Sequence, residues 1–534
     1  MLQLQTTDYK HFRVVKADGS EFSFEGAGFA KPALPGDIVE VKGGIVAGVV
    51  KRAKHPHLVG TLELASKFRF GMTSRNVPIY RFTPMNESYP PFFVGCSQKD
   101  VSRNMLALIE FASWDAGTCP KGNLVRIFGA CGDLVAEEEA LLANACLTTW
   151  KKADTEDLNK PGPCKEMRKT IGETFHIDPP GCRDIDDAIT LRYINSIVVE
   201  VKIHIADVAS WLIINPKLHA KAADIAQTYY IDGAAVKPMF PQHLSEGLFS
   251  LLPGQERRAW TLSFLWDTVT KKPPTMLVWS LETLTVAESY TYVTIYSSPH
   301  AALLRDITSV LAGRDVTDSH EWVEQFMLLY NKEVAYILKE DKQGILRRHA
   351  GKDMTRYADM KALGLPADRL AMHGGEYCLP TEPDTMHWGL GATAYCHASS
   401  PIRRWADCIN QIALREEILG YSEYILTPPT QEKITDLNQR AKRAKAFERD
   451  ILFARLLMRS PTDIPLHAVV AEIQPTKTKL WVSDWGRMVT SLQSAEGFVP
   501  GDDVHIKYFA DPTQRSWKRR VVIQFSKPLN AYEN

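Results

Sequence analysis

The chain has no net charge: 63 Lys and Arg stand against 63 Asp and Glu over 534 residues. That counts against a protein that coats nucleic acid with a uniformly basic surface, but not against an enzyme with a local basic channel. No apolar run reaches the roughly 18 to 20 residues that a membrane helix needs. The opening stretch MLQLQTTDYKHF lacks a basic, then apolar, then small-residue succession, so neither membrane insertion nor the secretory pathway is expected. Nine cysteines lie scattered, with no CxxC and no Cys/His zinc spacing. They read as reduced thiols of a cytoplasmic protein, with a nuclear or virus-encoded one left open. What remains is ordinary for a globular chain, 45% hydrophobic and 24% charged, with length enough for several domains.

The most informative stretch is FHIDPPGCRDIDDAI, residues 175 to 189, in which Asp178, Asp184, Asp186 and Asp187 fall within ten residues. Pro179, Pro180 and Gly181 forbid a regular helix, so the chain must turn back and gather its carboxylates. Four like charges in one place are unfavourable unless cations neutralise them. Oxygen ligands suit Mg²⁺, with Mn²⁺ an alternative, and such clusters serve phosphoryl transfer. Acidic loops are often plain solvated turns. Here Phe175, Ile177, Ile185, Ala188 and Ile189 interleave with the aspartates, and an apolar strand follows at 197–205. That predicts an anchored loop. Cys182 lies inside it, but hard cations prefer oxygen.

HIDPPGCRDIDDAI followed by VKIHIADVASWL resembles the catalytic signature of the ribonuclease II (RNB) family of 3′-to-5′ exoribonucleases. Its PPGC form is closer to the eukaryotic branch that includes the exosome nuclease. The resemblance implies that Asp178 and Asp187 ligate metal, that Asp184 is a ligand or orients one, and that Asp186 is tied most closely to chemistry. All four are then expected in the metal set.

The resemblance and the strand patterns together predict an α+β multidomain chain. Short alternating runs suggest an OB or cold-shock-like barrel at 1–66 and a second at 67–140, with one larger β domain as the alternative. A helical connector is expected at 141–170. A mixed α/β RNB catalytic domain follows at 171–460, and an S1-like OB barrel at 464–526. In the family such barrels grip single-stranded RNA. Phe68, Phe70, Tyr80, Phe82, Phe92, Phe93 and Trp114 are possible base-stacking surfaces, though a small barrel needs most of its aromatics inside. Lys518, Arg519 and Arg520 are expected to face RNA phosphates. Between 437 and 460 seven basic residues outnumber Glu448 and Asp450, a local basic helix in a neutral chain.

Further constellations support the same reading. In SPIRRWAD, Ser400 suits an N-cap and Pro401 a first turn, which would put Arg403 at a helix N-terminus as a phosphate clamp. An ordinary capped helix with a surface ion pair is the alternative. SPIRRWAD matches the family's SPIRRYAD, which implies that Arg403 touches phosphate. Trp405 stands for the usual Tyr, and Asn410-Gln411 for His-Arg. The match TYYIDG places Tyr230 beside the terminal nucleotide, so Asp186, Asp184, Arg403 and Tyr230 are the expected catalytic set. Tyr292 resembles a second active-site tyrosine, or is a core residue. Glu324, in WVEQFMLL, and Glu448 resemble glutamates near the terminal riboses, or are helix-surface carboxylates. The stretch between 351 and 387 is shorter than the family leads one to expect.

The resulting expectation is a divalent-metal-dependent, hydrolytic 3′-to-5′ exoribonuclease. It would act as a monomer and release 5′-nucleoside monophosphates from single-stranded RNA. The alternatives are a catalytically inactive RNB-like RNA-binding protein and a β-rich metal-binding interaction protein. The second would leave SPIRRWAD and the flanking barrels unexplained.

Overall fold

The structure is a computed structural model that describes residues 2–16, 19–114, 117–155, 158, 161–162, 167–420, 429–458, 466–515 and 519–528. Two compact units divide the chain. One comprises Met1–Leu147, Met360–Leu365 and Arg449–Asn534, and the other Thr148–Asp359 and Pro366–Glu448. Among the described residues, no helix is long and apolar enough to cross a membrane.

The first unit is three β assemblies. Five strands between Leu2 and Lys51 form one antiparallel sheet. Leu58–Leu62, Ile79–Pro84, Phe92–Gly95, Met105–Ser113 and Lys121–Ala130 form a closed barrel. Leu58–Leu62 pairs with Ile79–Pro84 and Met105–Ser113, so a first barrel reaching residue 66 is too long by that strand. A third five-stranded sheet runs from Leu466–Gln474 to Val521–Ser526. Tyr80, Phe82, Phe92 and Trp114 are buried core, as a small barrel requires. Phe68 and Phe70 are exposed, and Phe70 stacks on Phe93 with centroids 4.7 Å apart.

Two sequence expectations change here. The helix expected from residue 141 runs instead over Leu134–Ala145, because Asp133 caps it by accepting from the Ala136 N–H at 2.9 Å. Beyond it, only the single turn Lys152–Asp154 is helical among the described residues of the connector. Arg520 does not face solvent. It is 4% exposed, donates from Nη1 to Glu137 Oε1 at 2.7 Å, and bonds Thr61 through Nη2. Lys518 lies outside the described residues.

The second unit is built on a seven-stranded sheet. Its order is Arg168–Lys169, Val278–Thr285, Glu256–Asp267, Val198–Ala206, Asp187–Tyr193, Glu173–Ile177, Glu288–Tyr290. Alternation gives the sheet two characters. Ile203, Ile205, Trp260, Leu262, Phe264 and Trp266 turn to one face, where they pack with Leu304 of helix Ala301–Ala312, Phe326 and Val334 of helix Ser319–Asp341, and Leu414 of helix Trp405–Leu419. The intervening residues carry a buried polar line. Thr174 bonds Thr190 at 2.7 Å, Thr190 bonds His204 Nε2 at 2.7 Å, and His204 Nδ1 meets Thr261 at 2.8 Å. Beside them Lys202 donates to both Glu282 oxygens at 2.9 Å. Burial depresses the His204 pKa to about 3, so the imidazole stays neutral in this line.

The Arg520–Glu137 pair gives a stability test. Arg520→Met leaves a buried carboxylate without its cation, which costs roughly 3 to 5 kcal/mol. Adding Glu137→Leu removes the orphan and is expected to recover most of that loss, as read by urea unfolding of the full chain. Equal stability of wild type and Arg520→Met would show that the pair contributes nothing.

Candidate active site

The acidic loop is the mouth of a hairpin. Strand Glu173–Ile177 leads in and Asp187–Tyr193 leads out, with Phe175 opposite Ile189. This register sets Asp178 just past one strand and Asp187 at the start of the other. Between them the chain makes a tight turn, in which the Cys182 N–H donates to the Pro179 carbonyl at 3.1 Å and Gly181 takes φ +82°. A β-carbon there would be strained whatever the free space. Ile185 is fully buried. Ser250 pins the loop from below: its Oγ accepts from the Ile185 N–H at 2.9 Å and donates to the Arg183 carbonyl at 2.7 Å.

Each aspartate meets a different neighbour. Asp178 Oδ2 lies 2.8 Å from His176 Nδ1. Asp184 accepts from the Cys182 thiol and from the Tyr230 hydroxyl, each at 3.4 Å. Asp186 is 3% exposed; its Oδ1 accepts from the Ile402 N–H at 2.9 Å and its Oδ2 from Arg403 Nε at 3.0 Å. Asp187 opens its strand opposite Ile205. Burial pushes the Asp186 pKa up to about 7, Arg403 and the Ile402 N–H hold it down, and Asp407 and Asp184 add to the rise. Asp187 is also pushed well above the carboxylate range, first by burial and then by the charges of Asp178 and Asp186. Together the group calls for positive charge, which suits a hard divalent cation. Among the described residues, however, no three ligating side chains converge in the geometry of a formed metal cage.

SPIRRWAD departs from its expected geometry. The helix begins at Trp405, with Arg404 in extended backbone at its N-cap, so Ser400 is not the cap and Arg403 is not in the first turn. Asp407 causes this. Its Oδ1 accepts from the Ser400 N–H at 2.7 Å and from Arg404 Nη2 at 2.8 Å, folding 400–404 into a separate turn. A bridge from Gln227 to Arg404 and the Thr228 N–H donating to the Arg403 carbonyl at 2.9 Å hold that turn against the segment carrying Tyr230. Tyr230, Arg403, Asp184 and Asp186 are thereby brought together. The Arg403 side chain, 47% exposed, remains open to a ligand.

The three substituted positions are structural. Trp405 is buried and stacks on His219 with centroids 5.8 Å apart. Asn410 accepts from the Ile345 N–H at 2.7 Å and donates to the carbonyls of Ile345 and His397 at 2.8 Å each. Gln411 donates to the Ala206 carbonyl at 2.8 Å.

Tyr292 reaches the site because the Asp178 N–H donates to the Tyr290 carbonyl at 3.0 Å. Its hydroxyl pKa is pushed up to about 12 by burial, then by Asp178 and Asp187. Its ring lies flat on His320, with centroids 3.8 Å apart and 12° between planes. Glu324 is exposed one turn beyond His320 on the same helix. Glu448 is half-buried beside Phe447, whose ring meets Tyr229 at 5.7 Å. Neither glutamate bonds to the acidic loop. His176, Ser250 and His320 were not singled out in the sequence. Only His176 carried a local signal, since it sits two residues before Asp178.

Comparison with known proteins agrees with this architecture. An RNB domain matches residues 165–275 and 290–419, and a Dis3-like cold-shock domain 2 matches 79–146. The chain is 24% identical over 459 residues to the exosome complex exonuclease RRP44 of Homo sapiens, covering 68% of this chain and 46% of that protein. It is 23% identical over 570 residues to DIS3-like exonuclease 2 of Schizosaccharomyces pombe, covering 83% and 61%. The chain thus spans about half the length of the RRP44 relatives it matches. In fold it is similar to Mycoplasma genitalium RNase R, with TM-score 0.74 at 15% identity over 98% of this chain and 99% of that one. It is also similar to yeast Ssd1, described as a pseudonuclease, with TM-score 0.65 at 15% identity over 95% and 81%.

Asn410 tests how the site is scaffolded. Asn410→Leu strands three buried backbone groups, each worth roughly 1 to 3 kcal/mol. The urea midpoint is expected to fall by at least that of one lost buried hydrogen bond. An unchanged midpoint would mean that residues 345 and 397 find other partners.

Proposed function

The chain belongs to the RNB family, and on that premise we propose that it is a hydrolytic, divalent-metal-dependent 3′-to-5′ exoribonuclease that releases 5′-nucleoside monophosphates from single-stranded RNA. The observation that carries the reading is the contact of Asp186 with the Ile402 N–H and Arg403, across more than 200 residues of sequence. It joins an acidic loop to a half-exposed guanidinium, the two charge types that phosphodiester hydrolysis needs side by side.

In this reading Asp178, Asp184, Asp186 and Asp187 hold Mg²⁺, or Mn²⁺ in its place, which supplies an activated water and charge stabilisation on the phosphate. The chain's own groups do the rest. Arg403 presents its free N–H donors to the phosphate oxygens, while its Nε stays on Asp186 and fixes its direction. Tyr230 orients the 3′-terminal nucleotide, with its hydroxyl tethered to Asp184. Tyr292, stacked on His320, borders the other side of the loop. Glu324 and Glu448 accept from ribose hydroxyls, which favours RNA over DNA.

A catalytically inactive RNA-binding protein is the second reading. Its support is the likeness in fold to yeast Ssd1, described as a pseudonuclease. The retained aspartate quartet and the exposed Arg403 oppose it. One assay separates the two: end-labelled single-stranded RNA with Mg²⁺, with and without chelator, with the products resolved on a gel. Stepwise shortening that stops with chelator supports the enzyme. Binding without shortening supports the second reading.

Asp186→Asn is expected to abolish hydrolysis and keep RNA binding, because it removes one charge with little change of shape. Turnover near wild type would overturn the role given to Asp186.

Tyr230 bears on where digestion stops. Upstream contacts vanish first as RNA shortens, so the last steps depend on groups at the terminal nucleotides. Stacking there contributes about 1 to 3 kcal/mol per base, or roughly 5- to 150-fold in binding. Tyr230→Ala should therefore still degrade long RNA but release a longer final oligonucleotide. Identical limit products at equal rates would make Tyr230 a packing residue.

A further inference from the structure

We propose that Arg347 and Lys445 form a binding subsite for an internucleotide phosphate other than the scissile one. The proposal rests on the reading of the chain as an RNA-binding enzyme and adds a site outside the acidic loop.

Basic residues in this part of the unit sort into two groups. Arg348 has Glu382 at 2.7 Å and Glu376 at 3.5 Å. Arg404 has Asp407 at 2.8 Å, and Lys442 has Glu376 at 3.6 Å. Arg347 and Lys445 sit among these pairs with no carboxylate in ion-pair reach among the described residues.

Both are held in place all the same. Arg347 lies on the short strand Leu346–Arg348, opposite Tyr377 of strand Glu376–Cys378. Its guanidinium carbon is 5.2 Å from the Tyr377 ring centre. A β-carbon at Gly375 would come within 2.8 Å of Arg347 Nη2, so the guanidinium lies directly on that backbone and has little room to swing. Lys445 is on helix Gln431–Met458, which Asn438 ties to the same strand. The Tyr377 N–H donates to Asn438 Oδ1 at 2.8 Å, and Asn438 Nδ2 returns a bond to the Tyr377 carbonyl at 2.8 Å. Two helical turns beyond Asn438, Lys445 rises on the same face.

The two charges act on each other. Lys445 is held below the usual lysine range by burial and then by Arg347, with Glu448 opposing. Half-buried His397, whose Nδ1 is 2.9 Å from the Tyr377 hydroxyl, is driven well below the usual histidine range by desolvation and then by Arg404, Arg347, His387 and Lys445. It therefore brings no charge of its own. The facing groups are thus three cations and a neutral imidazole, with Asp407 committed to Ser400 and Arg404, Glu376 to Arg348 and Lys442, and Glu448 acting on Lys445 without an ion pair. Two cations with no ion-paired carboxylate of their own among the described residues are unfavourable until an anion arrives. A phosphodiester fits: a monoanion whose two free oxygens match a guanidinium fork and an ammonium. The location argues for RNA. The Arg347 N–H donates to the Tyr395 carbonyl at 2.7 Å, and Asn410 bonds the carbonyls of both Ile345 and His397, so the strand bearing Arg347 lies along the segment that leads to Arg403.

The test is the salt dependence of binding of the full chain to a fluorescent 20-nucleotide oligouridylate, measured by anisotropy in the Asp186→Asn background. Arg347→Gln with Lys445→Gln should lower the log–log salt slope by about 0.7, one phosphate contact for single strands. Arg347→Lys should keep the slope. Lys442→Gln, which removes a paired surface lysine, should keep it too. The double variant should also melt no lower than its parent, because removing two uncompensated cations relieves repulsion. An unchanged slope with binding retained overturns the subsite alone. No RNA binding by the parent at any salt overturns the proposed function and the subsite with it. A lower melting temperature with an unchanged slope would assign Arg347 and Lys445 to packing.

Discussion

One buried carboxylate organises the unit that carries the acidic loop. Asp186 is nearly inaccessible, yet it carries two bonds to a segment more than 200 residues away, one from the Ile402 N–H and one from Arg403. A carboxylate so placed is unfavourable unless hydrogen-bonded and neutralised. The fold meets both needs from one turn, residues 400–404, whose shape is itself set by Asp407. The turn then fixes the Tyr230 segment through Thr228 and Gln227. The acidic loop, the arginine and the tyrosine are therefore a single construction, and a shift in any one of them must move the Asp186 bonds.

The same logic separates two kinds of charge in the unit. Lys202–Glu282 and Arg404–Asp407 are closed pairs that hold the scaffold and offer nothing to a ligand. The acidic loop and the pair Arg347 and Lys445 are open. One has more negative charge than its single arginine balances, the other positive charge with no ion-paired carboxylate among the described residues. Open charge of both signs on a neutral chain is what a phosphodiester substrate with a divalent cation would close. Overall net charge therefore says nothing about this site, because the imbalance is local.

Much of this was legible in the sequence. Pro179, Pro180 and Gly181 force a reversal, and the apolar residues around the aspartates anchor it, so the hairpin could be read from local chemistry alone. The apolar run at 197–205 marked a core strand, observed at Val198–Ala206. Misreadings arose where a distant side chain outweighed a local preference. Ser400-Pro401 looks like a helix start, but Asp407 captures the Ser400 N–H and Gln227 draws Arg404 into extended backbone. Leu58–Leu62 lies close in sequence to the first sheet yet pairs with Met105–Ser113, a choice that no local pattern encodes. Arg520 looks like a surface cation until its buried partner Glu137 is known. Ser250 and His320 carry no local signature, since each matters only through a partner that folding supplies.

The substituted positions in helix Trp405–Leu419 follow from the same division of labour. Asn410 and Gln411 spend their polar groups on backbone, Asn410 on residues 345 and 397 and Gln411 on 206 and 209. The strand bearing Arg347, the approach to Arg403 and the end of the strand that faces Asp187 are thus held by one helix. Amides at these points make the hydrogen bonds without carrying charge. Within a site already crowded with aspartates and arginines, that leaves the electrostatics to the groups that can meet a ligand. Buried charge in the scaffold, as in Lys202–Glu282 and Arg404–Asp407, is paired, and the amides of Asn410 and Gln411 add hydrogen bonds without adding charge.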